Sequence, residues 1–128
     1  MTEARLPAAL AAAAAGGVIG SLARYGLTEW LPIASGFPWT TFGINVVGSA
    51  LLAAVGAFTV VRRTPWLGVF LGTGILGGFT TMSAASEQSV VLLEHDGAVL
   101  AVLYAGGTLL AALAAVVLVD RMAPRTEV

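Results

Sequence analysis

Gly72-Thr73-Gly74-Ile75-Leu76-Gly77-Gly78-Phe79-Thr80-Thr81-Met82-Ser83 lies inside an apolar run that starts near Trp66 and ends near Leu93. A run of that length is long enough to cross a bilayer. Its centre nevertheless holds adjacent glycines, adjacent threonines and a serine, which make a poor plain helix. Glycine costs about 1 kcal/mol per residue in a helix interior, and Thr and Ser divert hydrogen bonds to nearby backbone. In hydrocarbon a helix can break only where its freed backbone groups face protein, water or an ion. The stretch therefore predicts a broken membrane helix whose carbonyls and hydroxyls are in use.

The composition agrees with a membrane protein. The 128 residues are 58% hydrophobic and 10% charged, with mean hydropathy +0.92; soluble domains carry about 25% charge. There is no cysteine, so no disulfide framework and no thiolate metal site can form. One His cannot build a zinc site alone. A net charge of -1 without basic clusters argues against nucleic-acid binding. No nucleophilic triad or phosphate loop stands in a credible context, which disfavours an enzyme.

Four spans are expected, at about residues 7–25, 40–61, 66–93 and 98–119, in one domain covering 1–128. A signal peptide is the weaker reading of the first, because its glycines lead into more apolar sequence ending at Arg24. Gly16 and Gly20 offer a close-packing face, and Gly68/Gly72 and Gly74/Gly78 repeat that spacing. These seams are expected to pack against another copy or a relative. Thr28 to Trp39 reads as a connection, with Trp30 and Trp39 as interfacial aromatics. Asn45, in the second span, is costly there unless paired or wetted; it is either glue between helices or part of a polar path. Tyr104 and Thr108 share one face of the fourth span. His95 falls in a polar loop and reads as solvated.

All six basic residues are Arg. Arg5, Arg62, Arg63, Arg121 and Arg125 fall on one side of a four-span topology, and only Arg24 on the other. This bias predicts one orientation in the cell membrane, with both termini cytoplasmic. The polar inventory is neutral, Thr41, Asn45, Thr80, Thr81, Ser83, Ser86, Tyr104 and Thr108, and can donate hydrogen bonds to a small hydrated anion, whereas carbonyls freed at a break suit a hard cation. Glu87 is the one acid inside a span, by default a proton or cation site.

The motifs also carry a family resemblance. Gly17-x-x-Gly20-x-x-x-Arg24-Tyr25, Thr41-x-x-x-Asn45-x-x-Gly48 and Gly74-x-x-Gly77-Gly78-Phe79-Thr80-Thr81-x-Ser83 follow one another as in the CrcB/Fluc family of small fluoride channels, which the chain resembles over its whole length. The resemblance implies an all-α membrane protein, an antiparallel dimer of four-helix subunits with a broken third helix. It implies passive exit of fluoride from the cytoplasm, with Asn45, Thr81, Met82, Ser83 and Thr108 along the route and Arg24 by a vestibule. It implies a structural sodium ion at the dimer interface, held by the carbonyls of Gly77 and Thr80.

The chain departs from the family where two phenylalanines usually present ring edges to the anion. Met82 and Ala85 stand there, Ala84 replaces the Thr between them, and Gln88 aligns with the family's acid. A ring edge carries partial positive charge that a thioether or methyl lacks. These losses and the arginine bias lead to the expectation of a heterodimer, in which an oppositely oriented homologue supplies the rings. A homodimer is the alternative. Two other classes stay open: a proton-coupled small multidrug-type exporter using Glu87, and a non-conducting assembly subunit.

Overall fold

The computed structural model describes residues 6–31 and 36–123. Arg5 and Arg125, used above for topology, lie outside the described residues. All regular structure among the described residues is helical. Helix α1 is Leu6–Trp30 and α2 is Trp39–Ala57. The short α3 (Thr59–Arg63) and α4 (Pro65–Gly68) lead into a widely wound segment, Val69–Leu76. Then come α5 (Gly77–Phe79), α6 (Met82–His95) and α7 (Ala98–Met122). Four runs are long and apolar enough to cross a membrane: Leu6–Trp30, Trp39–Ala57, Pro65–His95 and Ala98–Met122.

The helix ends differ from the sequence reading for local reasons. α1 continues through Thr28 to Trp30, where a connection was expected. The Thr28 hydroxyl donates back to the Tyr25 carbonyl at 2.8 Å, so this polar residue is satisfied within the helix. α2 stops at Ala57, four residues before the expected end, and Phe58 takes extended backbone (ψ 125°). Gly56, a weak helix former with no neighbour to pack on, precedes that exit. Pro65 opens α4, where a missing N–H costs nothing. Gly97, at φ +95°, makes the tight turn from α6 into α7.

The glycine-rich part of the third span stays helical but is wound wide. The Gly77 N–H reaches the Gly72 carbonyl five residues back, the spacing of a π-helix. α1 lies along this segment and α5. A Cβ at Gly74 would fall 2.8 Å from Gly16 Cα, and one at Gly78 only 2.6 Å from the Gly17 carbonyl oxygen. Gly20 likewise faces the Ile75 backbone. This corrects the reading of the glycine seams: Gly16/Gly20 and Gly74/Gly78 close on each other inside one chain. Spacing identifies a close-packing face but not its partner.

α7 packs on α2 and α6. Their shared core is Ala85, Leu92, Ala101 and Tyr104, flanked by Phe37, Phe42 and Leu100. The Phe37 ring stands edge-on to Tyr104 at 5.2 Å and closes one end of this core. Only 11–22% of the most apolar stretch of each span is buried within the chain. The remaining apolar surface is therefore available to lipid or to another subunit.

Candidate functional site

The third span leaves the helix at Thr80 and Thr81. Thr80 has φ -74°, ψ 155° and Thr81 has φ -149°, ψ 117°, both extended. Buried backbone groups need partners, and nearby side chains supply them. The Thr80 N–H and hydroxyl both donate to the Leu76 carbonyl, each at 3.0 Å. Thr81 is held by Asn45: Oδ1 accepts from the Thr81 N–H at 2.8 Å, and Nδ2 donates to the Thr81 carbonyl at 3.0 Å. The Thr81 hydroxyl oxygen then caps α6 by accepting from the Ala84 N–H at 3.2 Å.

This pairing gives the Asn45-x-x-Gly48 spacing a physical reason. Asn45 reaches the exit, and Gly48, one turn on, leaves room for Thr80 and Phe79. A Cβ at Gly48 would meet the Thr80 methyl and fall 3.2 Å from the Phe79 ring. On the α1 side, Ser21 Oγ and Arg24 Nε both donate to the Gly78 carbonyl, at 3.4 and 3.2 Å. Outside the helices' own ladders, the carbonyls of Leu76, Gly78 and Thr81 thus accept hydrogen bonds. Those of Gly77 and Thr80 accept none among the described residues. The N-terminus of α6 brings partial positive charge to one side of the exit, and the end of α5 brings partial negative charge to the other.

A cleft of about 340 Å³ opens beside the exit, between α2, α6 and α7. Asn45, Thr80, Thr81, Met82 and Thr108 line it together. Ser86, one of the neutral donors of the sequence, lines it too, as do Ser49 and Ser89, which were not singled out as donors. Ala85, a residue of the buried core, forms part of its wall, and no aromatic side chain lines it. No acidic or basic side chain lines the cleft. Three of its residues, Met82, Leu109 and Leu113, are 73%, 53% and 54% exposed. The cleft is therefore a groove that one chain leaves open.

The other expected site residues sit elsewhere. Arg24 is bound to Gly78 and does not line the cleft. Ser83 and Gly77 are exposed and off it. Glu87 is exposed on α6, outside the cleft. Exposed His95 uses Nδ1–H on the Val91 carbonyl. The described residues contain no group of three His, Cys, Asp or Glu able to hold a metal.

A second polar cluster was not legible as a unit. The Tyr104 hydroxyl donates to Gln88 Oε1 at 2.6 Å, and Gln88 Nε2 donates to Thr41 Oγ1 at 2.9 Å. Tyr104 and Thr41 are 0% and 1% exposed, so this network ties α2, α6 and α7 through the core. Thr108 donates to the Tyr104 carbonyl at 2.7 Å, within its own helix. The available signal was the coincidence of Thr41, Gln88 and Tyr104 in three apolar spans.

Residues 11–119 match the family model described as CrcB-like protein, Camphor Resistance (CrcB). The chain is 45% identical over 118 residues to a fluoride-specific ion channel FluC 2 of Nocardia farcinica, covering 88% of this chain and 82% of the relative. It is 44% identical over 110 residues to a FluC 1 of Streptomyces coelicolor (84% and 71% covered). It is 41% identical over 104 residues to a FluC of Thermus thermophilus (75% and 78%). With the match spanning all four helices, this chain belongs to the CrcB-like family, whose members here are fluoride-specific ion channels.

Proposed function

We propose that this chain is a subunit of a fluoride-specific channel that lets fluoride leave the cytoplasm passively. The similarity over 118 residues to a fluoride-specific ion channel carries the reading. The uncharged cleft supports it, since a small anion needs hydrogen-bond donors in a site without competing carboxylates. The cleft runs along Asn45, Thr81, Met82 and Thr108. Arg24, bonded to the Gly78 carbonyl, brings a positive charge to the α1 side of the exit.

The functional unit is an antiparallel pair of chains in the cell membrane. The open groove beside Met82 and Leu113 supports a second chain, because one subunit does not close it. We take the partner to be an oppositely oriented homologue. Met82 and Ala85 leave this chain without ring edges at the cleft, and its arginines favour one orientation, with both termini cytoplasmic.

A structural sodium ion fits the residues present. The Gly77 and Thr80 carbonyls are hard oxygens that accept no hydrogen bond outside the helix ladders, and Gly77 is exposed at the chain's surface. One chain offers two such oxygens, fewer than a hard cation takes, so two chains would share the ion. Its contribution would be charge balance for carbonyls gathered at the interface.

The partner is tested by efflux from liposomes holding this chain alone and then together with a ring-bearing homologue. The reading expects fluoride efflux only from the mixed preparation. Fast efflux from the chain alone would replace the heterodimer by a homodimer.

A further inference from the structure

We propose that Ser49 and Ser86 are anion-binding residues of the cleft, and that they act with Asn45 and Thr81. This deepens the fluoride-channel reading and rests on it. The argument is where each hydroxyl hydrogen goes. A Ser or Thr hydroxyl has one hydrogen, and a carbonyl can only accept, so a hydroxyl bonded to a carbonyl has spent it.

Three hydroxyls of the cleft are spent in this way. Thr80 donates to Leu76, Ser89 to the Ala85 carbonyl at 2.7 Å, and Thr108 to Tyr104. They present lone pairs to the cleft, which repel an anion. Four groups differ. Asn45 commits one of its two amide hydrogens to Thr81 and keeps the other. Thr81 Oγ1 accepts from Ala84 and donates to no group among the described residues. Ser49 and Ser86 make no hydrogen bond within the described chain, although Ser89, one turn beyond Ser86, does.

The placement fits a path. Ser49 lies four residues after Asn45 on α2, so both share one face. Ser86 lies one turn beyond Met82 on α6, on the same wall as Ala85. Free donors thus stand on both walls of the groove, α2 and α6, while α7 contributes apolar side chains and the spent Thr108. An ion that sheds water in the cleft can exchange it for these hydrogens without breaking any bond that holds the fold.

The test is fluoride efflux from liposomes carrying the complete channel, this chain with its homologous partner. The variants are Ser49→Ala, Ser86→Ala, the double variant and Ser86→Thr. Hydrogen bonds to charged groups are strong enough that the double variant should slow efflux about tenfold or more. Each single change should give part of that loss. Ser86→Thr keeps a hydroxyl and should retain most of the rate. All variants should elute from size exclusion like the parent, which separates lost flux from lost fold. Unchanged efflux in the double variant would overturn the inference and leave the channel reading intact. Absence of fluoride efflux from the parental complex would overturn both.

Discussion

Asn45 and Thr81 form a two-point pair: one side-chain amide satisfies both backbone groups of a residue that has left its helix, at 2.8 and 3.0 Å. The amide does for Thr81 what a neighbouring strand does in a sheet. Asn45 is 9% exposed and Thr81 is only partly exposed, so water cannot readily take over. Asn45→Asp keeps the acceptor, loses the donor to the Thr81 carbonyl and adds a charge in the membrane. Asn45→Ala loses both. Each unmade buried hydrogen bond costs about 1–3 kcal/mol. Unfolding titrations in detergent micelles should show both variants destabilised; a wild-type transition for Asn45→Ala would remove the clamp from the account.

The α1 contact with the third span makes opposite predictions for two glycines. Gly74→Ala puts a methyl 2.8 Å from Gly16 Cα, backbone that cannot step aside. It should lose most folded protein, read as recovery of a monodisperse peak. Gly26→Ala meets nothing within 4 Å and should be neutral or stabilising by up to about 1 kcal/mol. Equal effects of the two changes would contradict the close contact.

Tyr104 and Gln88 are coupled through a 2.6 Å hydrogen bond in the core. Tyr104→Phe leaves the Gln88 oxygen without that donor and should cost about 1–3 kcal/mol. Gln88→Leu removes the acceptor, so adding Tyr104→Phe to it should cost much less than in the parent. A double-mutant cycle measures the difference. Strict additivity would mean the two groups do not support each other.

The orientation can be read directly, because the chain has no cysteine. Thr64→Cys places a single thiol between the second and third spans, and Glu94→Cys one at the end of α6, beside the turn into α7. A membrane-impermeant thiol reagent on intact cells should label Glu94→Cys, and label Thr64→Cys only after permeabilisation. Equal labelling of both in intact cells would show dual insertion and favour a homodimer.

Much of this arrangement was legible in the chain. Four long apolar runs announced the spans, and the Gly72–Ser83 stretch marked the third as irregular, but not that its glycines stay helical while Thr80 and Thr81 are extended. Asn45 stood out because an amide in a span must find partners. What was not legible depends on which faces meet. The four-residue glycine spacings defined seams but could not say that Gly16 faces Gly74 in the same chain. Gln88 looked like a loss of charge; its place between Thr41 and Tyr104 needs three helices packed together. Ser86 read only as one of several neutral donors and Ser49 only as part of a close-packing face, since every hydroxyl in a sequence looks alike until its hydrogen-bond partner is known.

The measurement that tests the central claim most directly is ion-selective efflux from liposomes containing this chain assembled with its homologous partner. Fluoride and chloride should be followed in parallel. The account predicts rapid fluoride efflux, no chloride efflux above empty liposomes, and loss of the fluoride signal when this chain is omitted. Chloride efflux as fast as fluoride, or no fluoride efflux from a folded complex, would contradict it.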